Sequence, residues 1–361
     1  MAQVTIRCAG CGAAVHYDAA TETLKCPYCG HTEAIPASKS SIREIPLSEA
    51  MEQVELPREA IADHRVQACQ SCGAAIAYDE NRAAKRCDFC GSEAVSEALL
   101  TELPIQPQGV LPFRLTPQEA HKAFQLWLRH LWFAPSDLAK KASIEELKGV
   151  YLPLWTFDAH AQAAWRAVPG YYRTRIESFY NPQTRRHETR TVQYIEWGLP
   201  VHGRMEKHFD DVGISGFNSL PQRYLSEIGG FSTATDLLDY DARYFLGWDV
   251  ALPDRSLPEA WKEAQKQIRE EVEALCKAQI PGDTYRDFSM DLRLSQATTK
   301  LAYVPIYILA YRYSGKPYRV VVHGRTGVVG GDRPISWWKV GLLVAALLGG
   351  LYLLWKSGLL E

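Results

Sequence analysis

Apolar residues recur at helical spacing in two long segments of the middle of the chain. The first follows Thr116-Pro117-Gln118-Glu119, where Thr116 can cap a helix and Glu119 can complete a capping box. Its predicted buried face consists of Ala120, Phe124, Trp127, Leu128 and Leu131. The second opens at Ser256-Leu257-Pro258-Glu259 and runs to about Gln279. Its predicted buried stripe consists of Trp261, Ala264, Ile268, Val272 and Leu275.

Two weaker patterns predict short helices. One lies near Leu47–Val54, within an acidic segment that we expect to be a solvated linker. The other opens at Ser143-Ile144-Glu145-Glu146, where the capping pattern is repeated, and ends at Gly149.

Strand patterns fill the rest of the middle region. Val150–Trp165 is aromatic and β-branched, and Pro153 within it favours an edge or a bulge. Tyr171–Tyr180 and Arg185–Glu196 flank a turn at 181–184, which predicts a long hairpin. Further strands are predicted by alternation at Phe288, Met290, Leu292 and Leu294, and in the segments Ala302–Tyr313 and Tyr318–His323. Because strands and helices do not alternate regularly, the fold class is α+β with an antiparallel sheet.

The most apolar stretch lies near the C-terminus. Val340–Trp355 contains no charge over sixteen residues. At about 1.5 Å per residue it spans roughly 24 Å, and starting at Trp337 extends it toward the ~30 Å hydrocarbon core of a bilayer. The bracketing aromatic residues Trp337, Trp338, Tyr352 and Trp355 suit a membrane interface. We expect a transmembrane tail anchor; a buried soluble helix is the alternative.

Composition excludes a mostly disordered chain, since 47 % of the residues are apolar. Lys and Arg number 40 and Asp and Glu 42, which gives a net charge of −2 and argues against a basic nucleic-acid binder. We expect no export signal, because Met1–Ala20 lacks an apolar core segment.

Eight of the nine cysteines form two sets that repeat with an offset of 61 residues. In each set, two C-x-x-C pairs are separated by fourteen residues and each pair is followed by glycine. The repeat extends to C-x-x-C-G-A-A at Cys8 and at Cys69, and to Tyr-Asp at 17–18 and 78–79. The two sets are Cys8, Cys11, Cys26 and Cys29, and Cys69, Cys72, Cys87 and Cys90.

This spacing is typical of zinc ribbons, because Zn²⁺ prefers four soft ligands in a tetrahedron. The glycine after each pair suits the positive φ of a knuckle turn. We therefore predict two Zn²⁺ ions per chain; iron and disulfides are the alternatives. The ninth cysteine, Cys276, is predicted to be a buried thiol.

The predicted domains are a first zinc ribbon (1–35), a linker (36–64), a second ribbon (65–96), an α+β body (97–334) and a transmembrane tail (335–361). Neither ribbon carries clustered positive charge, which favours a protein-binding or structural ribbon over a DNA-binding one.

One part of the body is locally basic and aromatic. The hairpin combines several tyrosines and Phe179 with the arginines Arg173, Arg175, Arg185, Arg186 and Arg190. Contact with anionic lipid or an acidic partner and a merely solvated hairpin both fit this pattern.

No catalytic constellation is evident. The sequence lacks a P-loop, G-x-S-x-G, H-E-x-x-H and G-x-G-x-x-G. Asp158 with His160, and Asp210-Asp211 with His202 and His208, are candidate metal ligands or active-site residues, although acid pairs beside strands more often serve turns. We expect no enzymatic activity.

The chain resembles a bacterial family of membrane-anchored double zinc-ribbon proteins of uncharacterised function, with ribbons of the transcription-factor-IIB type. The resemblance rests on the knuckles and on the segments 149–159, 209–212 and 310–316. Members are often labelled as similar to the primosomal replication-restart helicase. A helicase motor needs a P-loop, so helicase activity is not carried over.

These observations predict a tail-anchored adaptor or scaffold that binds a protein partner at the bacterial inner membrane, with its bulk in the cytoplasm. Reduced thiolate ligands suit that compartment. The three basic residues Arg325, Arg333 and Lys339 before the span, against Lys356 after it, favour the same orientation. The small residues Gly341, Ala345 and Gly349 suggest self-association of the span. The alternative is a nucleic-acid-associated, primosome-like ribbon factor without helicase activity.

Overall fold

The fold is a mixed α+β arrangement built on two exceptionally long strands. The computed structural model describes residues 6–36, 38, 42–54, 66–70, 74–77, 87, 95–98, 106–138, 143–144 and 147–356. Within these ranges one small three-stranded sheet and one large sheet are formed.

The small sheet belongs to the first cysteine-rich segment. It is antiparallel and consists of β1 (His16–Asp18), β2 (Thr23–Lys25) and β3 (Thr32–Ala34). The segment after it contributes β4 (Ile45–Pro46) and α1 (Leu47–Val54), which confirms the short predicted helix. This segment is not wholly solvated, because Ala50 is fully buried against the body.

The large sheet is organised around β10 (Lys148–Asn181) and β15 (Thr284–Tyr313), which are 34 and 30 residues long. They pair antiparallel from Lys148 opposite Ile308 to Gly170 opposite Thr284. The remaining strands are β5 (Val66–Cys69), β6 (Ala75–Ala77), β7 (Val95–Ala98), β8 (Gly109–Val110), β9 (Ser143–Ile144), β11 (Arg186–Trp197), β12 (Val201–Ser215), β13 (Leu238–Asp239), β14 (Asp249–Ala251), β16 (Lys316–His323) and β17 (Val329–Gly331). The predicted antiparallel character holds for most pairs, while β14 on β10 and β8 on β15 are parallel.

The helices are α2 (Pro117–His130), α3 (Gln222–Glu227), α4 (Thr233–Asp236), α5 (Leu257–Lys277) and α6 (Trp337–Lys356). Both predicted capping boxes, at Thr116 and at Ser256, are present. The long helix α5 packs against the alanine-rich part of β10, where small side chains let a helix approach closely. Cys276 lies in that interface and is fully buried, as predicted.

Three sequence predictions fail locally. Ser143–Ile144 forms a strand that pairs with Arg312 and Tyr311, so the predicted helix does not begin there. Leu275 is 38 % exposed because α5 is rotated so that Cys276 faces the sheet instead. Pro153 lies inside a central strand and not at an edge. On one side of β10, the pairing with β14 ends before this residue and the pairing with β12 begins after it, so no ladder hydrogen bond is lost at the proline.

An aromatic cluster forms the centre of the core. Phe113 stacks on Trp248 with ring centroids 3.9 Å apart and meets Tyr151 and Tyr307 edge to face. Residues of the first cysteine-rich segment, including Tyr17, belong to the same cluster. The small sheet is therefore packed into the body.

Candidate metal centre and apolar C-terminal helix

Two tight turns position the first four cysteines. The N–H of Gly12 donates to the carbonyl of Cys8 at 2.8 Å, and the N–H of Gly30 donates to the carbonyl of Cys26 at 3.0 Å. Gly12 and Gly30 have φ of 73° and 72°, which confirms the predicted positive φ after each pair. Each turn presents two thiol groups to the same point.

The four sulfur atoms are close enough to share one ion. All of them lie within 4.8 Å of one another, and the Cys8–Cys29 and Cys11–Cys26 Sγ pairs are 3.5 Å apart. A tetrahedron of Zn–S bonds of about 2.3 Å has sulfur–sulfur distances of about 3.8 Å, whereas a disulfide needs about 2.05 Å. The geometry therefore fits a metal ion and not a disulfide.

Local hydrogen bonds already favour one thiolate. The backbone N–H of Cys29, supported by that of Tyr28, lowers the pKa of Cys26 to about 6 against the effect of burial. The N–H of Ala13 lowers the pKa of Cys11, but hydrogen bonds shared with Cys26 and Cys29 outweigh it and raise that pKa to about 12. Four thiolates at this spacing need a bound cation to neutralise them.

The second set repeats the local backbone pattern where it is described. The N–H of Cys69 donates to the carbonyl of Ala74 at 2.8 Å, just as Cys8 donates to Ala13 at 2.7 Å. Cys69 and Cys87 are both buried. Cys72 and Cys90 lie outside the described residues, so the second predicted ion stays a prediction.

The first cysteine-rich segment is hydrogen-bonded to the body through Tyr17. Its N–H donates to the carbonyl of Leu246 at 2.9 Å, and its hydroxyl donates to the carbonyl of Phe113 at 3.0 Å. The indole N–H of Trp248 donates to the carbonyl of Tyr17 at 3.0 Å. A metal ion bound by this segment would therefore stabilise part of the body core as well as the segment itself.

The candidate acidic residues do come together. Carboxylate oxygens of Asp158, Asp210 and Asp211 lie within 4.8 Å of one another. The N–H of Asp211 donates to Asp158 Oδ1 at 2.7 Å across a bulge in β10. His160 instead lies 2.7 Å from the exposed Glu206, so it does not join the cluster.

A buried lysine supplies the positive charge of this cluster. Lys300 Nζ is 2.6 Å from Asp211 Oδ1 and 3.1 Å from Glu44 Oε1. Burial opposes its charge, but these carboxylates outweigh that effect and raise its pKa. A hydrogen bond with Asp158 raises the pKa of Glu44. The arrangement is an ion network that joins four chain segments, and Lys300 and Asp211 are its buried pair.

The C-terminal helix is exposed along its length. The window Trp337–Leu354 is long and apolar enough to cross a membrane, and none of it is buried in the protein. The alternative of a buried soluble helix is therefore wrong. The predicted small residues Gly341 and Gly349 have open space beside them.

Hydrogen bonds fix the first turn of α6 to the body. Lys339 Nζ donates to the carbonyl of Ala134 at 2.7 Å and to the carbonyl of Trp132 at 3.3 Å. The N–H of Ser336 donates to the carbonyl of Phe133 at 2.7 Å. Trp132, Trp337 and Trp338 are all exposed, at 82 %, 76 % and 66 %. Exposed tryptophans near the end of an apolar helix are typical of a membrane interface.

Comparison with known proteins adds little functional information. No protein-family model matches the chain, and no solved structure matches it. The chain is 22 % identical over 363 residues to the uncharacterized protein YdjG of Bacillus subtilis (strain 168), which covers 98 % of this chain and 96 % of that protein. The similarity therefore extends over almost the full length of both chains.

Proposed function

We propose that this protein is a metal-stabilised, tail-anchored adaptor that holds a protein partner at the bacterial inner membrane, with its bulk in the cytoplasm. The observation that carries the proposal is the exposed apolar helix α6, whose first turn is hydrogen-bonded to the body through Lys339 and Ser336. These hydrogen bonds fix the orientation of the body relative to α6, so an anchored body stays close to the bilayer.

The metal sites have a structural role in this proposal. A centre of four cysteines leaves no open coordination position, which is typical of structural zinc. The first centre lies beside core residues that include Tyr17 and Leu24, so the ion keeps that part of the core folded. We extend the same role and one Zn²⁺ ion to the second set, including Cys72 and Cys90.

The first ribbon also offers a contact for the partner. Tyr28 lies between the ligands Cys26 and Cys29 and is 82 % exposed. Exposed tyrosines are enriched at protein interfaces because they combine apolar area with a polar group. We assign the partner contact to this knuckle.

The charge distribution supports a protein partner over nucleic acid. Lys25 in the first ribbon is paired with Asp18 at 3.3 Å, and Arg114 beside it is paired with Glu22 at 3.1 Å. Nucleic-acid binding relies on basic side chains that are available to phosphates. The paired charges of Lys25 and Arg114 therefore do not favour the alternative of a nucleic-acid-associated replication factor.

The anchor is tested by charging it. The double variant Leu347→Glu/Leu348→Glu should move the protein from the membrane pellet to the soluble or aggregated fraction, because each acidic side chain costs about 2.5–3.5 kcal/mol near the centre of a span. Fractionation of cells after a high-salt wash measures this. The control is Leu199→Glu, which changes an exposed leucine outside the helix. Full retention of the charged variant in washed membranes would contradict the anchor.

A further inference from the structure

A two-stranded hairpin projects beyond the rest of the sheet. We call residues 171–197 the distal hairpin. The two strands pair in unbroken register from Tyr171 opposite Glu196 to Asn181 opposite Arg186. The pairing of β10 with β15 ends at Gly170, so in the described part of the chain these residues of β10 pair with β11 alone. Isolated two-stranded hairpins are marginally stable in water unless one face is covered.

The charged residues of the paired strands all lie on one face of the distal hairpin. Directly opposite residues share a face, and successive residues alternate between faces. One face therefore carries every Asp, Glu, Lys or Arg of the paired strands, namely Arg173, Arg175, Glu177, Arg186, Glu188, Arg190 and Glu196. Three of its arginines are ion-paired: Arg173 with Glu196 at 2.9 Å, and Arg175 and Arg190 with Glu177 at 2.6 and 3.2 Å. Three of the four arginines on this face are thus paired with carboxylates, so the face is less basic than the composition of the hairpin suggests.

The opposite face carries no Asp, Glu, Lys or Arg, and its side chains are exposed to solvent. Its ten residues are Tyr172, Thr174, Ile176, Ser178, Tyr180, His187, Thr189, Thr191, Gln193 and Ile195. Every one of them is exposed, and Ile176 near the centre is 76 % exposed. We call this the uncharged face. A contiguous exposed surface of tyrosine, isoleucine and threonine is typical of an interaction site.

The uncharged face lies at the opposite end of the sheet from α6. Tyr313, at the C-terminal end of β15, donates to Asp137 at 2.7 Å, close to the loop that holds α6. From that end, β10 runs 28 residues from Lys148 to Ile176, a path of about 90 Å at about 3.3 Å per residue. The uncharged face is therefore far from α6 along the strand.

We propose that the uncharged face packs against the same face of a second copy of this chain. A two-fold interface brings the same surface of two subunits together. Because the uncharged face has no Asp, Glu, Lys or Arg, two copies of it can pack without charge repulsion. Two such faces can pack as two β-sheets do, about 10 Å apart.

The size of the face explains where pairing occurs. Twelve paired residues in two strands give a surface of about 40 by 10 Å, or about 400 Å², roughly half of what each partner buries in a standard stable interface. Such a contact is weak between free molecules. Two copies anchored in one membrane have a high effective concentration, which favours the contact there. The inference rests on the proposed membrane anchor, but not on which partner the adaptor holds.

Cysteine cross-linking of the full-length protein in native membranes tests this pairing. Single variants on the uncharged face are Thr174→Cys, Ile176→Cys and Ser178→Cys, and matched controls on the charged face are Arg173→Cys, Arg175→Cys and Glu177→Cys. The reagent is a bis-maleimide whose reactive ends are about 10 Å apart, to match the spacing of packed sheets. The unmodified chain provides the background from its native cysteines.

We expect a shift to twice the chain mass for the uncharged-face variants and not for the controls, and we expect loss of that product when Gln193→Glu is added to Ile176→Cys. Equal products on both faces, or no product on either, would overturn the proposal. A product of another mass, identified by mass spectrometry as a different protein, would also overturn it.

Discussion

Replacing Cys26 with serine should remove one metal ion per chain and unfold the first ribbon together with its contacts to the body. The Sγ atom of Cys26 lies 3.5 Å from that of Cys11 within the set of four, and its side chain is buried in the core cluster. Structural zinc contributes about 10–16 kcal/mol of apparent binding free energy in isolated zinc-finger peptides. Tyr17 links this ribbon to Phe113 and Leu246, so we expect the loss to lower the unfolding temperature of the body as well.

Metal analysis and thermal unfolding of the purified full-length protein check this result. The matched control is Cys276→Ala, which removes a buried thiol that lies in the α5 interface and not in either ligand set. It should keep the metal content of the unmodified protein. If Cys26→Ser also keeps that content, the first set is not a metal centre. Chelation of the unmodified protein should reproduce the destabilisation without any substitution.

Replacing Lys300 with methionine should destabilise the body by about 3–5 kcal/mol, the usual cost of leaving one member of a buried ion pair unpaired. The side chains of Lys300 and Asp211 are only 5 % and 7 % exposed, so water cannot replace the missing charge. Asp158 also lies in the network, and its pKa is lowered by Glu44, Asp211 and Thr298 against the effect of burial. Chemical denaturation measures the change.

A double-mutant cycle with Asp211→Asn isolates the pair. Asp211 has φ of 54°, and asparagine tolerates that conformation, so the substitution removes charge with little backbone strain. If the ion pair dominates, Lys300→Met should cost much less in the Asp211→Asn background than alone. Strictly additive effects would show that the network is not coupled.

Local signals in the sequence predicted the helices well. Thr116 and Ser256 start helices because their capping boxes satisfy backbone groups within one turn. The same signal at Ser143 failed, because pairing of that segment with β15 outweighs a weak local preference. Leu275 and Cys276 show that a helix stripe can be assigned one residue out of phase when both neighbours are apolar.

The long strands were predicted only in pieces. The sequence suggested separate strands before and after Pro169-Gly170, but these residues pair with Tyr285 and Thr284 and continue β10. The neighbouring strand holds the proline in an extended conformation, and only the tertiary partner supplies that information. The charge pattern of the distal hairpin can be predicted from the sequence. Successive strand residues point to opposite faces, so Arg173 and Arg175 lie on one face and Ile176 on the other.

The sequence predicts the residues of the first metal centre, but it does not predict the ion network. Cysteine spacing fixes which side chains meet, and the first set meets as expected. Lys300, Glu44 and Asp211 are far apart in sequence, and no local pattern joins them. The exposed Trp132 was likewise missed, since its position beside Lys339 depends on packing of the whole body.

The central claim, that an anchored adaptor presents the first ribbon to a protein partner, is tested most directly by proximity labelling in living bacteria. The full-length protein with its native anchor is compared with Tyr28→Ala, and Leu199→Ala serves as an exposed control outside the ribbon. Metal content and membrane fraction should be equal in all three. The account predicts a set of proteins labelled by the unmodified chain and by Leu199→Ala but lost with Tyr28→Ala. An unchanged set with Tyr28→Ala would contradict it.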